Sequence, residues 1–156
     1  EGTLQRLLAS EDVKTRRAAA LALGLLGTMD SNPAAAAALH DADPIVQRFV
    51  ADALWELWFR GGTADQTRRL REAAQRAIWF FKRGEFARAA DDCETTLRLN
   101  PHHFGAAAGL GQCWVKLGKP RAAIRAFRTA LEINPALEHL HDTIRALEEA
   151  LDRGGD

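Results

Sequence analysis

Apolar positions along this chain recur at helical spacing, in blocks broken by Gly, Pro and acidic residues. The blocks DVKTRRAAALALGLLG (residues 12–27) and DPIVQRFVADALWELW (residues 43–58) superpose at an offset of 31. Asp12 then meets Asp43, Ala22 meets Ala53, Leu23 meets Leu54 and Leu26 meets Leu57, while Leu8 meets Leu39 one helix earlier. A fixed period in this range marks stacked helical hairpins. The pattern predicts helices over residues 2–8, 12–27, 34–39 and 44–60, with Asp12 and Asp43 as N-caps and Pro44 in a first turn. Gly24 and Gly27 are expected to help end the second of these, and Asn32-Pro33 to open the third. Helix 44–60 is apolar nearly all round, which predicts burial between two layers. Residues 2–8 fit the second half of a hairpin whose first half is missing, so the chain is expected to be a fragment of a longer protein.

A second period begins inside the stretch 63–83. Residues 70–103 superpose on residues 104–137 at an offset of 34, with nine identities. These are Ala73/Ala107, Ala74/Ala108, Lys82/Lys116, Gly84/Gly118, Ala89/Ala123, Thr95/Thr129, Leu97/Leu131, Asn100/Asn134 and Pro101/Pro135. Each glycine is expected to make a left-handed turn between paired helices, and each Asn-Pro to end the second helix of its pair. Leu8 and Leu39, shifted by a further 31, reach Leu70, so both periods run through one segment. That segment, residues 65–83, has no Gly or Pro and is expected to be one helix shared by both repeat systems. Residues 135–153 begin a third first-helix, with Arg145 where Gly111 stands, and are expected to cap the open apolar end.

The first 62 residues resemble the short HEAT-like repeat of phycobilisome-lyase-type proteins, in which Asp is followed by A-x-x-A-L-x-x-L. Some proteins with that repeat are metal enzymes with His-Glu pairs on successive repeats. Here the matching place holds His40-Asp41, preceded one repeat earlier by Ala9-Ser10, so the metal centre is not expected. Residues 63–137 resemble the tetratricopeptide repeat. The second copy carries Leu110-Gly111, Trp114, Ala123, Phe127 and Ala130, whereas the first has Arg76 in place of a leucine, attributed to its helix facing the HEAT-like layer. The two resemblances imply an all-α, right-handed superhelical solenoid of antiparallel helix hairpins. HEAT-like repeats (1–62) would come first, then two tetratricopeptide motifs (63–137) sharing the junction helix 65–83, then a capping helix and tail (138–156).

Composition narrows the chemistry. The 156 residues are rich in Ala, Leu and Arg, lack Tyr and carry a formal net charge of +0, which implies no general attraction to nucleic acid or to anionic membrane. No run of 18 apolar residues spans a membrane, so a soluble protein is expected, in cytoplasm or periplasm. No phosphate loop, nucleophile elbow or paired catalytic carboxylates occur, and catalytic, cofactor and metal residues are all expected to be none. His139 and His141 point to different helix faces, and His102-His103 fall in an inter-repeat loop as surface residues. Cys93 and Cys113 lie on neighbouring helices and fit buried packing, with a disulfide the alternative in an oxidising compartment. Trp55, Trp58, Phe59, Trp79, Phe80 and Phe81 are expected to glue the unlike repeats together. Arg69/Arg76/Arg83 and Arg121/Arg125/Arg128 form basic stripes without interleaved aromatics and fit solvated faces, the second on the outer, convex helix.

The tetratricopeptide resemblance implies a concave groove walled by the first helices. Its residues here would be Arg71, Ala74, Gln75, Ile78, Phe81 and Lys82, then Gly105, Ala108, Gly109, Gln112, Val115 and Lys116, with His139, Asp142 and Thr143 of the cap. Some family members grip a carboxylate with Lys and Asn at these faces; Ala74, Ile78, Ala108 and Gly109 occupy those places, so that clamp is absent. The expectation is a non-catalytic scaffold for a protein or peptide segment with apolar side chains and some acidity. The alternative is a structural or assembly appendage of a larger enzyme or multi-cofactor protein, whose catalytic part precedes residue 1.

Overall fold

The computed structural model describes residues 2–60 and 65–154. Among them lie nine α-helices, one short 3-10 turn at Met29–Ser31 and no strand. The chain divides into two compact units, Glu1–Arg71 and Glu72–Asp156. The stretch 61–64, where the first expected boundary falls, is outside the described residues.

The first unit contains α1 (Gly2–Leu8), α2 (Val13–Leu26), α3 (Asn32–Ala38), α4 (Pro44–Arg60) and the start of α5 (Asp65–Lys82). Asp12 caps α2 as expected. Its carboxylate accepts from the Thr15 amide at 2.8 Å and the Thr15 hydroxyl at 2.7 Å, and those bonds hold its pKa below the usual value. Asp43 does the same for α4, accepting from the Ile45 amide at 2.7 Å while bridging to Arg17. Leu8, Leu39 and Leu70, the three leucines of the 31-residue period, are all buried. Each contributes roughly 1.5–3 kcal/mol by leaving water. Buried Trp58 donates its indole N–H to Asn32 at 2.9 Å, tying α4 to the start of α3.

Three expectations in this unit need correction. Helix α4 is not buried all round: Arg48, Asp52, Glu56, Phe59 and Arg60 form an exposed stripe, opposite buried Val46, Val50, Leu54 and Trp58. Leu26 does not share the environment of Leu57. Leu57 is buried on the α2 side of α4, whereas Leu26 is 71% exposed, alongside Leu25 at 77%. Gly24 lies inside α2 and does not end it; Gly27 caps it with φ −68°, which is no left-handed turn. What Gly27 supplies is room. A Cβ there would stand 2.6 Å from the Leu23 carbonyl oxygen and 3.2 Å from Leu57 Cδ2.

The second unit continues α5 and adds α6 (Phe86–Leu99), α7 (Phe104–Lys116), α8 (Pro120–Ile133) and α9 (His139–Arg153). The 34-residue period is visible atom for atom. Gly84 and Gly118 have φ +76° and +69°, the left-handed conformation expected of them. Asn100 and Asn134 are both buried and end their helices alike, each side-chain oxygen accepting at 3.1 Å from the amide two residues on. In the second copy Phe127 is fully buried against Ala107, Ala123, Ala130, Leu140 and Ile144. A Cβ at Gly111 would lie 2.5 Å from the Phe127 ring, so the missing atom is what lets α7 meet α8. Helix α9 places Leu140 and Ile144 in that core and turns His141, Asp142 and Arg145 to solvent.

The first copy differs where expected. Arg76, in the place of Leu110, forms two hydrogen bonds to Asp92, in the place of Ala126, at 3.1 and 2.7 Å. The ion pair ties α5 to α6, so the arginine has its partner within its own repeat.

Gly111→Ala should destabilise the chain. Overpacking costs about 1–3 kcal/mol and the gain in helix propensity returns at most about 1. With Phe127→Leu already present, the same substitution should become neutral or stabilising. Urea midpoints of the four chains in that cycle measure the coupling, and additive effects would refute the steric account.

Candidate functional site

Helices α5 and α7 both pack on α6. Phe80 and Phe81 of α5 and Leu110 and Trp114 of α7 surround Ala89, Ala90 and Cys113. Helix α7 in turn shares the Phe127 core with α8 and α9. Of the groove positions named from sequence, Phe81 packs inward on Ala89 and Ala90, Ala108 leans on the Phe127 core and Gly109 lies over Cys93 of α6, while the rest are exposed or half-buried. On α5, Gln75, Ile78 and Lys82 are exposed and Ala74 and Phe81 half-buried. Arg71, half-buried on the same helix, is the last residue of the first unit. On α7, Gly105, Ala108 and Gly109 are half-buried, and Gln112, Val115 and Lys116 exposed. His139 and Asp142 of α9 are exposed and Thr143 half-buried.

Spacing explains why each set shares a face. Residues 105, 108, 109, 112 and 116 follow the helical pattern i, i+3, i+4, i+7, i+11, as do 71, 74, 75, 78 and 82. The face of α7 is built from residues with little or no side chain, flanked by apolar Val115 at 40% and Ile78 at 46% exposure. Lys82 and Lys116 make no ion pair among the described residues, so their charge is directed at solvent. Asp142 is held by Arg145 at 3.4 Å. The exposed sum is an apolar floor with a cationic rim.

The basic stripes behave differently. Arg69 pairs with Asp65 at 2.9 Å, Arg76 with Asp92, and Arg83 with Glu85 at 3.0 Å while lying 4.5 Å over the Trp79 ring. Arg128 pairs with Glu148, leaving Arg121 and Arg125 exposed on α8. Among the aromatics, Trp55 packs with Trp58 and Phe59 in the first unit, and Trp79 with Phe80, and Phe81 with Phe86, in the second.

His103 was expected at the surface and is instead buried, at 3% exposure. It is the N-cap of α7: its Nδ1 accepts from the Ala106 amide at 3.0 Å. The clue in sequence was its position, just before the apolar run that opens the helix. Burial pushes its pKa down to about 4, because a charged imidazole there would lose its water and its role as acceptor.

Sequence reasoning also missed an open cleft of about 500 Å³ between α8 and α9. Leu131 and Ile144 line it, together with Arg128, Glu132, His141, Arg145 and Glu148. Its charges are of both signs, and Arg128 and Glu148 neutralise one another. Among the described residues no His, Cys, Asp and Glu converge as a metal site, and no helix is long and apolar enough to cross a membrane. Cys93 and Cys113 are buried and free, as expected of packing residues.

Comparison with known proteins finds both kinds of repeat, the two matches overlapping over residues 80–90. A HEAT-repeat family model matches residues 1–90 and a tetratricopeptide-repeat model matches residues 80–147. The chain is similar to Superkiller complex protein 3 of Homo sapiens, 26% identical over 77 residues, covering 49% of this chain and 5% of that protein. It is also similar to a TPR repeat-containing protein of Rhizobium etli, 29% identical over 77 residues, covering 49% of this chain and 38% of that one. The chain therefore spans well under half the length of the curated relatives it matches. No solved structure matches.

The titration of His103 gives a direct test of the α7 cap. Its folded pKa lies below the unfolded value near 6.5, so the folded chain binds fewer protons between pH 6.5 and 4. Its contribution is complete above pH 6.5 and is lost as pH falls towards 4, by about 3 kcal/mol. His103→Asn keeps a capping oxygen without the titration, and its stability should fall less over that window. Equal acid sensitivity in both chains, measured by urea unfolding from pH 7.5 to 4, would refute the assignment.

Proposed function

The chain belongs to the HEAT-repeat family and continues into a tetratricopeptide repeat, and on that footing we propose that it is a non-catalytic interaction scaffold. The second unit binds a protein segment along the outward faces of α5, α7 and α9. The observation that carries this reading is the α7 face of Gly105, Ala108 and Gly109, which offers a partner backbone close approach. Small residues there cost helix propensity, about 1 kcal/mol for each Gly relative to Ala, so a solvated surface gains nothing from them. Ile78 and Val115 supply apolar contact beside that floor. Lys82 and Lys116, which make no ion pair among the described residues, favour a segment carrying acidic residues. One relative is by name part of a complex, which supports a role in assembly.

The test compares three variants for retention of a partner segment, identified by cross-linking to the wild-type chain. Ala108→Glu and Gly109→Glu place bulk and negative charge on the face, and each should weaken binding at least about tenfold, the equivalent of 1.4 kcal/mol. Gly109→Glu starts its side chain 3.5 Å from the buried Cys93 sulfur, so its melting is measured alongside and its loss of binding counts only together with that of Ala108→Glu. Arg125→Glu, on the exposed side of α8, should bind as the wild type does. Retention by both face variants with loss in Arg125→Glu would move the binding surface to the other side of the hairpin.

A further inference from the structure

Cys93 on α6 and Cys113 on α7 are both buried, and neither is in a disulfide. The repeat makes their presence unusual. Cys93 holds the place that Phe127 fills in the second copy, and Cys113 the place of Trp79 in the first. Two positions that hold an aromatic ring in the other copy thus hold thiols here, and the packing of α6 on α7 brings them to one interface.

The geometry is fixed by Gly109. A Cβ built there would lie 3.5 Å from Cys93 Sγ, so that sulfur rests on the strip of α7 that bears residue 109. Cys113 stands four residues on, one turn along the same strip, where side chains are about 5–6 Å apart. Each thiol also has the other as its strongest electrostatic neighbour.

We propose that Cys93 and Cys113 form a reversible disulfide that pins α6 to α7 beneath the small-residue face, made by a peroxide-class oxidant and undone by a thiol-class reductant. The S–H of Cys93 stabilises a thiolate on Cys113, whose pKa is lowered, while Cys93 itself is held protonated by its neighbour and by burial. The Cys113 thiolate attacks one peroxide oxygen and the O–O bond breaks. A sulfenic acid forms, and the departing hydroxide takes up the proton Cys113 released, leaving as water. The Cys93 sulfur then attacks the Cys113 sulfur, the S–O bond breaks, and the hydroxide leaves with the Cys93 proton as a second water. Two thiols and one hydrogen peroxide give one disulfide and two waters, the sulfurs losing the two electrons that reduce the O–O bond. Thiol–disulfide exchange with a reductant restores both thiols.

The proposal stands apart from the binding reading and is tested without a partner. The native chain is treated with hydrogen peroxide, then unfolded in the presence of iodoacetamide, and the alkylated thiols and linked peptides are read by mass spectrometry. The expected product is a monomer lacking both free thiols, with a Cys93–Cys113 cross-linked peptide, restored to two thiols by dithiothreitol. Its melting temperature should rise by roughly 10 °C, because the bond restricts the unfolded chain. The map is read on the wild-type chain, so no variant needs to fold. Two thiols still alkylated, chain-to-chain disulfides alone, or oxidation ending as a sulfinic acid on one cysteine would each overturn the proposal.

Discussion

The second unit depends on an atom that is absent. Without a Cβ at position 111, the Phe127 ring packs directly against the backbone of α7 and closes that helix on α8. A lone amphipathic helix cannot bury its apolar face, and a hairpin does so only as far as its two axes can approach. The Gly111–Phe127 contact sets that approach. Ala107, Ala123 and Ala130 then fill the close interface, and Leu140 and Ile144 of α9 close the core from the next helix. With the large side chains committed inward, α7 turns Gln112, Val115 and Lys116 to solvent, and the short Gly105, Ala108 and Gly109 lie half-buried beside them. The core and the candidate binding face are two sides of the same packing decision.

Much of this was legible in sequence because the features that set the period are backbone features. Gly84 and Gly118 recur because only glycine adopts φ near +70° without strain, and Asn100 and Asn134 recur because each caps its own turn. Such residues act locally, so a spacing of 34 in the chain becomes a spacing in the fold. Leu8, Leu39 and Leu70 carried the shorter period equally well, since a buried leucine at equivalent places is the repeat's core.

What failed to read through was decided by neighbours that spacing does not record. Leu26 and Leu57 are equivalent by count, yet only Leu57 has a helix packed over it. Arg76 looked like a break in the pattern until Asp92, sixteen residues away, supplied its partner. His103 looked like a loop residue because its burial and its capping bond depend on how α7 starts, not on its own polarity. The groove residues share a helical face by arithmetic, but their value to a partner rests on exposure and charge. Among the described residues Lys82 and Lys116 make no ion pair while Arg69, Arg76 and Arg83 are all neutralised, a distinction invisible in the spacing of basic positions.

The central claim is that a protein segment is held on the small-residue side of α5 and α7. Gln75 on α5 and Gln112 on α7 are both exposed on that side, and their side-chain amides are native reporters for nuclear magnetic resonance. Titrating the full chain with its bound segment should shift or broaden those two amides and the backbone amides of Gly105 and Gly109. The Arg121 and Arg125 signals on α8 should stay in place. Perturbations gathered on α8, or on the exposed leucines of α2, with Gln75 and Gln112 unmoved, would contradict the account.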